Sequence, residues 1–342
     1  MAGRVLLLRA LGLGDFLTGV PAYRAVRRAC PGQRIFLAAP GALAGLVPLT
    51  GAIDELLPTA ELAPIDWPGP PPDLAIDLHG RGPASHRLVA ALRPHRLICF
   101  GGTHGGGFPG PPWLPGEHEV ARWCRLCGES GIPADPADLL LCAAPEAAGP
   151  AGQGPTLLHP GAAAASRRWP ADRFAEVARE LTRAGHHIQV TGSAAERGLA
   201  LEVARLAGLP GRSVTAGLTT LADLAALTAS ARLVIAGDTG LAHLASAYAR
   251  PSVTLFGPVP PAQWGPPRHP RHQVLWHGAD GYRGDPHGSQ TDPALAAITV
   301  PEVLAAADRA LRTISPAPLP GTAPTQAVIK LGHARSRLGT VS

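Results

Sequence analysis

Residues 232–257 read RLVIAGDTGLAHLASAYARPSVTLFG. An apolar run closes on Gly237, an acid and a hydroxyl follow, and a helical pattern over TGLAHLASAYA leads through Pro251 into a second apolar run. Strand, tight loop, helix and strand make a βαβ unit, in which the two strands must lie parallel in one sheet. The same alternation extends in both directions. Upstream come strand TLLHPG, helix PADRFAEVARELTRAG, strand HHIQVTG, and helices AAERGLALEVARLAG and TLADLAALTASA. Downstream, VPEVLAAADRALRTI reads as a late helix.

The first half repeats the scheme, with strands RVLLLRA, RIFLAAP, DLAIDLHG and RLICFGG and helical patterns over residues 16–30 and 117–131. DWPGPPPD and THGGGFPGPPWLPG are loops by composition, the second long enough to be functional and flexible. Residues 143–155 have linker composition, and the Pro-, Gly- and Thr-rich stretch from 315 reads as disordered. The expected organisation is therefore α/β, with doubly wound, Rossmann-like domains over residues 1–145 and 156–300 facing across a cleft. A helix over 301–314 and a tail over 315–342 complete it.

With 342 residues, 46% of them hydrophobic, the chain is large enough for two cores. Lys330 is the only lysine among 30 basic residues, so the basic side chains are almost all arginine, as in proteins from GC-rich genomes. A net charge of +5 favours anionic ligands but is too small to argue for nucleic acid. Of the five cysteines, Cys124 and Cys127 form one C-x-x-C inside a helical pattern with no second pair to complete a zinc site, so they read as buried thiols of a reducing compartment. Arg9 stops the first apolar run short of a signal peptide, and no run is long enough to span a membrane, so the expected location is the cytoplasm.

Ligands of open α/β sheets bind outside the carboxyl ends of the strands, so chemistry is sought in the loops there. Four loops qualify. GLGD places Gly14 and Asp15 at a helix start, where Asp15 is either a cap or a functional carboxylate; its spacing is not the dinucleotide fingerprint. HPGAAAASRRWP carries Gly161 and then Arg167 and Arg168, a loop able to hold a phosphate, although either arginine alone reads equally as a surface charge. TGSAAER puts Glu196 in a first helical turn, suited to stabilising the helix or to accepting from ribose hydroxyls. In GDTGLAH, Asp238, Thr239 and Gly240 open a helix whose N–H groups suit an anion, and His243 follows one turn later.

Taken together, GDFLTGVPAYRAVRRACPG, LLHPG with RRWP, TGS with Glu196, and GDTGLAHLASAYARPSVTLFGP occur in an order and spacing that resembles glycosyltransferase family 9, the ADP-heptose:lipopolysaccharide heptosyltransferases. The resemblance covers roughly residues 4–267. It implies a GT-B fold in which the N-terminal domain takes the acceptor and the C-terminal domain a nucleotide-sugar, with the 301–314 helix crossing back onto the N-terminal domain. It implies Asp15 as general base, beside its neighbour Gly14. Arg167 stands where the family usually has a nucleotide-contacting lysine, Glu196 matches the ribose-binding acid, and Asp238, Thr239 and Gly240 match the loop under the diphosphate and sugar. Gly161 and His243 complete the substrate-binding set. No cofactor is implied, since the ADP-linked sugar is a substrate.

The expected reaction is transfer of a heptose-like sugar to the hydroxyl of a glycan or glycolipid acceptor, in lipopolysaccharide biosynthesis where the organism makes it. The chain has no Asp-x-Asp to hold a divalent ion, and one base facing the donor implies inversion, so a metal-independent inverting reaction is expected. The enzyme is expected to be a monomer with no nucleic-acid partner. Arg24, Arg27 and Arg28 form a face that either is solvated or touches anionic headgroups of the inner membrane leaflet. HGGG at residues 104–107 matches an esterase oxyanion motif, but the chain lacks the G-x-S-x-G elbow such a hydrolase needs. Two alternatives remain: a nucleotide-sugar epimerase or hydrolase, which would act without acceptor, and a binding protein that holds nucleotide and transfers nothing.

Overall fold

The computed structural model describes residues 3–142 and 152–313. It contains two five-stranded, all-parallel sheets. In the N-terminal lobe, β1 (Arg4–Leu8), β2 (Arg34–Ala39), β3 (Glu55–Pro58), β4 (Leu74–Asp77) and β5 (Arg96–Ile98) run in the order β3-β2-β1-β4-β5. In the C-terminal lobe, β6 (Thr156–His159), β7 (Ile188–Val190), β8 (Leu233–Gly237), β9 (Ser252–Leu255) and β10 (His272–Leu275) run in the order β10-β9-β8-β6-β7. Each sheet reverses its winding once, between β1 and β4 and between β6 and β8, and such switch points are where these folds open a crevice for ligand. The edge strands β3 and β10 escape the sequence pattern: ELLP ends in proline, which an edge tolerates, and HQVL is half polar.

The central strands are apolar on both faces because helices cover both, and Val5–Leu8 of β1 are almost fully buried. After β1 the expected single helix over 16–30 is two, α1 (Leu13–Thr18) and α2 (Val20–Ala29). Gly19 separates them: a Cβ there would lie 2.4 Å from the Tyr23 hydroxyl, so the chain passes the ring only as glycine, and Pro21 restarts the helix. Next come α3 (Ala84–Ala90), which the sequence pattern missed, and α4 (Glu119–Glu129), with Cys124 and Cys127 buried as free thiols. The second lobe supplies α5 (Ala171–Arg183), α6 (Arg197–Ala207), α7 (Leu221–Ser230), α8 (Gly240–Ala247), α9 (Pro261–Trp264), α10 (Pro293–Ala296) and α11 (Val300–Leu311).

Two expectations are corrected here and a third is made specific. The late helix α11 does not cross to the first lobe; Val303, Ala306, Ala307 and Ala310 are buried in the C-terminal core beside α5, β9 and β10. Its alternating apolar face demanded burial but did not say against which lobe. Nor is the 103–116 loop loose, because Gly101 N–H donates to Pro111 O (2.8 Å) and Trp113 stacks edge-on with Phe100. Finally, the Arg24, Arg27 and Arg28 face carries ion pairs, with Arg28 still exposed. Arg24 and Arg28 each bond Asp138 (2.6 Å), and Arg27 donates to Ala52 O (3.1 Å) and Gln33 O (2.9 Å) and pairs with Asp54, so these side chains fasten α2 to neighbouring loops. Among the described residues no helix is long and apolar enough to cross a membrane. The tail over 315–342 and most of the 143–155 linker lie outside the described residues.

The lobes meet along α7 and α8. Leu141 N–H donates to Ala247 O (2.9 Å), and one apolar cluster runs from Phe16 and Val20 through Leu241 and Leu244.

Candidate active site

The first strand ends on Arg9, which is completely buried. A buried guanidinium must spend its donors, and Arg9 does so. Nε donates to Asp15 O and one terminal nitrogen to Leu78 O. The other lies 3.0 Å from Thr18 Oγ1, 3.0 Å from Glu119 Oε1 and 3.5 Å from Asp15 Oδ1. Glu119, at the start of α4, also accepts from Trp123 Nε1 (2.8 Å) and from Arg122. Arg9 also sits 4.7 Å from the centre of the Trp123 ring.

Asp15 is therefore held but not capping: Gly12 caps α1, without a side-chain hydrogen bond. Its side chain is 27% exposed. Burial raises its pKa above the usual carboxylate range, with Arg9 pulling down and Glu119 pushing up.

On the other lobe, Asp238 follows β8 and is buried. Its carboxylate takes a 2.9 Å bond from Arg167, which also donates to the Asp238 carbonyl. Burial raises the Asp238 pKa while Arg167 opposes it. Arg167, expected to face a phosphate, thus gives one terminal nitrogen to Asp238. The neighbouring Arg168 donates from Nε to Ala162 O (2.9 Å), in the loop after β6. Thr239 is the N-cap of α8. Glu196 ends a one-turn 3-10 helix, where it accepts from Ser193 N–H (2.7 Å), and its carboxylate packs so tightly on Gly161 that a Cβ there would fall 2.3 Å from it. Burial would raise the Glu196 pKa, but the Ser193 N–H, His159 and Arg168 outweigh that and lower it.

The two sets meet where the helix starts touch. A Cβ on Gly14 would lie 3.0 Å from His243 Cδ2 and 3.9 Å from Gly240 Cα; one on Gly240 would lie 2.8 Å from the Leu13 side chain. His243 is kept neutral by burial, its pKa pushed down to about 4. Beside this seam a cavity of about 500 Å³ opens between the lobes, lined by Leu17, Thr18 and His118 on one side and His243, Ala247 and Pro261 on the other. Thr239 Oγ1, Arg167 Nε and His79 Nδ1 are buried without a protein partner, an arrangement that costs free energy unless something else supplies the bonds. The sequence-selected residues Gly14, Asp15, Gly161, Arg167, Asp238, Thr239, Gly240 and His243 thus follow the strands at the two switch points, and Glu196 follows the neighbouring β7 and packs on Gly161.

The sequence profile of glycosyltransferase family 9 (heptosyltransferase) matches residues 114–282. Over that stretch, just under half of the chain, the sequence is similar to glycosyltransferase family 9. It is 33% identical over 115 residues to lipopolysaccharide heptosyltransferase 2 of Salmonella typhimurium, 32% of either chain. To lipopolysaccharide heptosyltransferase 1 of Pseudomonas aeruginosa it is 40% identical over 101 residues, 29% of this chain and 28% of that one. The matches to these relatives thus span about a third of their length. The whole fold resembles that of E. coli ADP-heptose lps heptosyltransferase II, with a TM-score of 0.71 at 21% identity over 90% of this chain and 98% of that one. It equally resembles the family 9 glycosyl transferase of Veillonella parvula, with a TM-score of 0.72 at 20% identity over 91% and 97%. The architecture is GT-B, as expected.

Sequence reasoning missed Arg9, Glu119 and Trp123. Only Arg9 left a signal, a charged residue directly after the apolar run Val5–Leu8.

Proposed function

We propose that this chain is an inverting glycosyltransferase that moves a heptose-like sugar from an ADP-linked donor to a hydroxyl of a glycan or lipid-linked acceptor, with Asp15 as general base. The observation that carries the reading is the contact between α1 and α8, which brings the helix carrying the partly exposed Asp15 against the helix that Asp238 and Thr239 open. The relatives' names point to a lipopolysaccharide acceptor.

In this reading Glu196 accepts from the ribose hydroxyls, and the N–H groups at the start of α8 receive the diphosphate. The acceptor hydroxyl gives its proton to Asp15 as its oxygen attacks the anomeric carbon. The bond from that carbon to the diphosphate oxygen breaks, and ADP leaves. Attack from the face opposite the leaving group inverts the anomeric centre. A base of raised proton affinity suits this step, and such catalysis is typically worth about 10²–10⁴-fold. Because Arg167 is neutralised by Asp238, the charge of the leaving group falls mainly on backbone N–H groups and on Arg168. No step needs a metal ion.

The test is Asp15→Asn assayed for ADP release from ADP-heptose with a lipopolysaccharide inner-core acceptor, alongside ADP binding by calorimetry. Turnover should fall by about 10²–10⁴-fold while ADP still binds. Near-normal turnover would remove Asp15 from the role of base. Wild-type activity should persist in EDTA, and strict dependence on added Mg²⁺ would refute the metal-free route.

A further inference from the structure

Arg9 has a single terminal nitrogen for two carboxylates. Its two N–H bonds go to Thr18 Oγ1 and Glu119 Oε1, both at 3.0 Å, which leaves Asp15 Oδ1 at 3.5 Å, the edge of hydrogen-bonding distance. Trp123 Nε1 donates to that same Glu119 oxygen and Arg122 to the other, so Glu119 is fixed from three directions. A guanidinium that closed on Asp15 would make a full ion pair and draw its proton affinity down.

We propose that Glu119 is a positioning residue for Asp15: by holding the terminal nitrogen of Arg9 it stops the guanidinium from closing on the Asp15 carboxylate and so leaves that carboxylate able to take a proton. The proposal rests on the reading of Asp15 as the base.

Among the described residues, the titratable neighbours Tyr23, His243 and His79 are neutral near pH 7. Burial pushes the Tyr23 hydroxyl of α2 far up, His243 of α8 takes its proton only near pH 4, and burial lowers His79 beyond β4. Arg9 and Glu119 are therefore the charges that set the behaviour of Asp15. If Glu119 merely balanced a buried arginine, its loss would cost stability and leave Asp15 where it is.

The experiment follows the Asp15 carboxyl carbon by NMR in ligand-free protein labelled with ¹³C at aspartate Cγ, the resonance being assigned through Asp15→Asn. In Glu119→Gln the titration midpoint should fall by about one pH unit or more, and the acid limb of kcat/KM should move with it. Trp123→Phe removes one donor from Glu119, strengthens its hold on Arg9 and should move the midpoint the opposite way. It carries the test if Glu119→Gln does not fold. An unchanged midpoint in a folded variant, or shifts of the same sign in both, overturns the inference. The two readings fail separately: a midpoint that moves while Asp15→Asn keeps full turnover sinks the base and leaves the Arg9–Glu119 coupling standing.

Discussion

The contact between the lobes can be tested with one methyl group. A Cβ on Gly240 would sit 2.8 Å from Leu13 Cβ, Cγ and Cδ2, whereas carbons rest at about 3.5–4.0 Å, so Gly240→Ala must part the helix starts by about 0.7 Å or more. Overpacking of this kind costs about 1–3 kcal/mol, and Ala for Gly in a helix returns up to about 1, so the net loss of stability should be modest. Activity should suffer more. Asp15 lies on one side of the seam and the proposed donor loop on the other, and a misplacement near 1 Å can cost about 10²-fold, or about 2.7 kcal/mol of barrier. The assay is initial-rate ADP release with the melting temperature measured in parallel. Gly128→Ala serves as the control, since that helical glycine has open space around it. Because Leu13 Cβ is itself one of the clashing atoms, relief requires Leu13→Gly. In a double-mutant cycle Leu13→Gly should restore most of what Gly240→Ala loses, whatever it costs alone. Gly240→Ala turnover within about threefold of wild type, which is below about 0.7 kcal/mol, would show that the helix starts do not set the reaction geometry.

Other outcomes follow from the same side chains. Arg167→Met strands the buried Asp238 carboxylate and should destabilise the chain by about 3 kcal/mol, with Asp238→Asn in the same background recovering most of the melting temperature; no loss on Arg167→Met would contradict the pairing. His272 accepts or shares a proton with Ser252 Oγ (2.8 Å), and burial, aided by Arg271 and His269, lowers its pKa to about 4. The folded chain then binds fewer protons than the unfolded one between about pH 6.5 and 4, so stability falls as pH drops through that window. His272→Gln should make the decline of melting temperature with pH shallower there, and an unchanged slope would refute the cause. Cys142 is exposed, the other four cysteines are buried, and burial holds Cys99, Cys124 and Cys127 at about 12, so iodoacetamide at pH 7.5 should label one site in the native protein and five in denaturant.

What the sequence made legible was whatever a strand end encodes locally. Asp15, Glu196 and the Asp238–Gly240 turn each follow an apolar run directly, and parallel sheets place such loops on one side of the fold, so finding the strands nearly finds the site. Partnerships across the chain left no such trace. Arg9 and Glu119 are 110 positions apart, and no periodicity records that a guanidinium at one strand end will reach a carboxylate at the start of α4. The same blindness misread α11, whose apolar face fits either lobe, and hid the partners of the α2 arginines, whose length lets them reach Asp138 and Asp54. It also hid the pairing of Arg167 with Asp238, 71 positions away.

The acids beside the two helix starts are built alike and then made different. Each follows the carboxyl end of a central strand, each has its proton affinity raised by burial, and each has its own backbone carbonyl tied to an arginine from its own lobe. The difference is in how the arginine is shared. Arg167 gives Asp238 a direct 2.9 Å bond, whereas Arg9 stands 3.5 Å from Asp15 because Glu119 and Thr18 hold it. Asp238 is also the more buried, its side chain 10% exposed against 27% for Asp15. A carboxylate paired at hydrogen-bonding distance and shut from solvent orients a loop; one whose counter-charge is drawn aside, and whose side chain stays partly exposed, can gain and lose a proton. For the proposed reaction, this difference favours a base on the N-terminal lobe, kept free by a glutamate that touches neither acid.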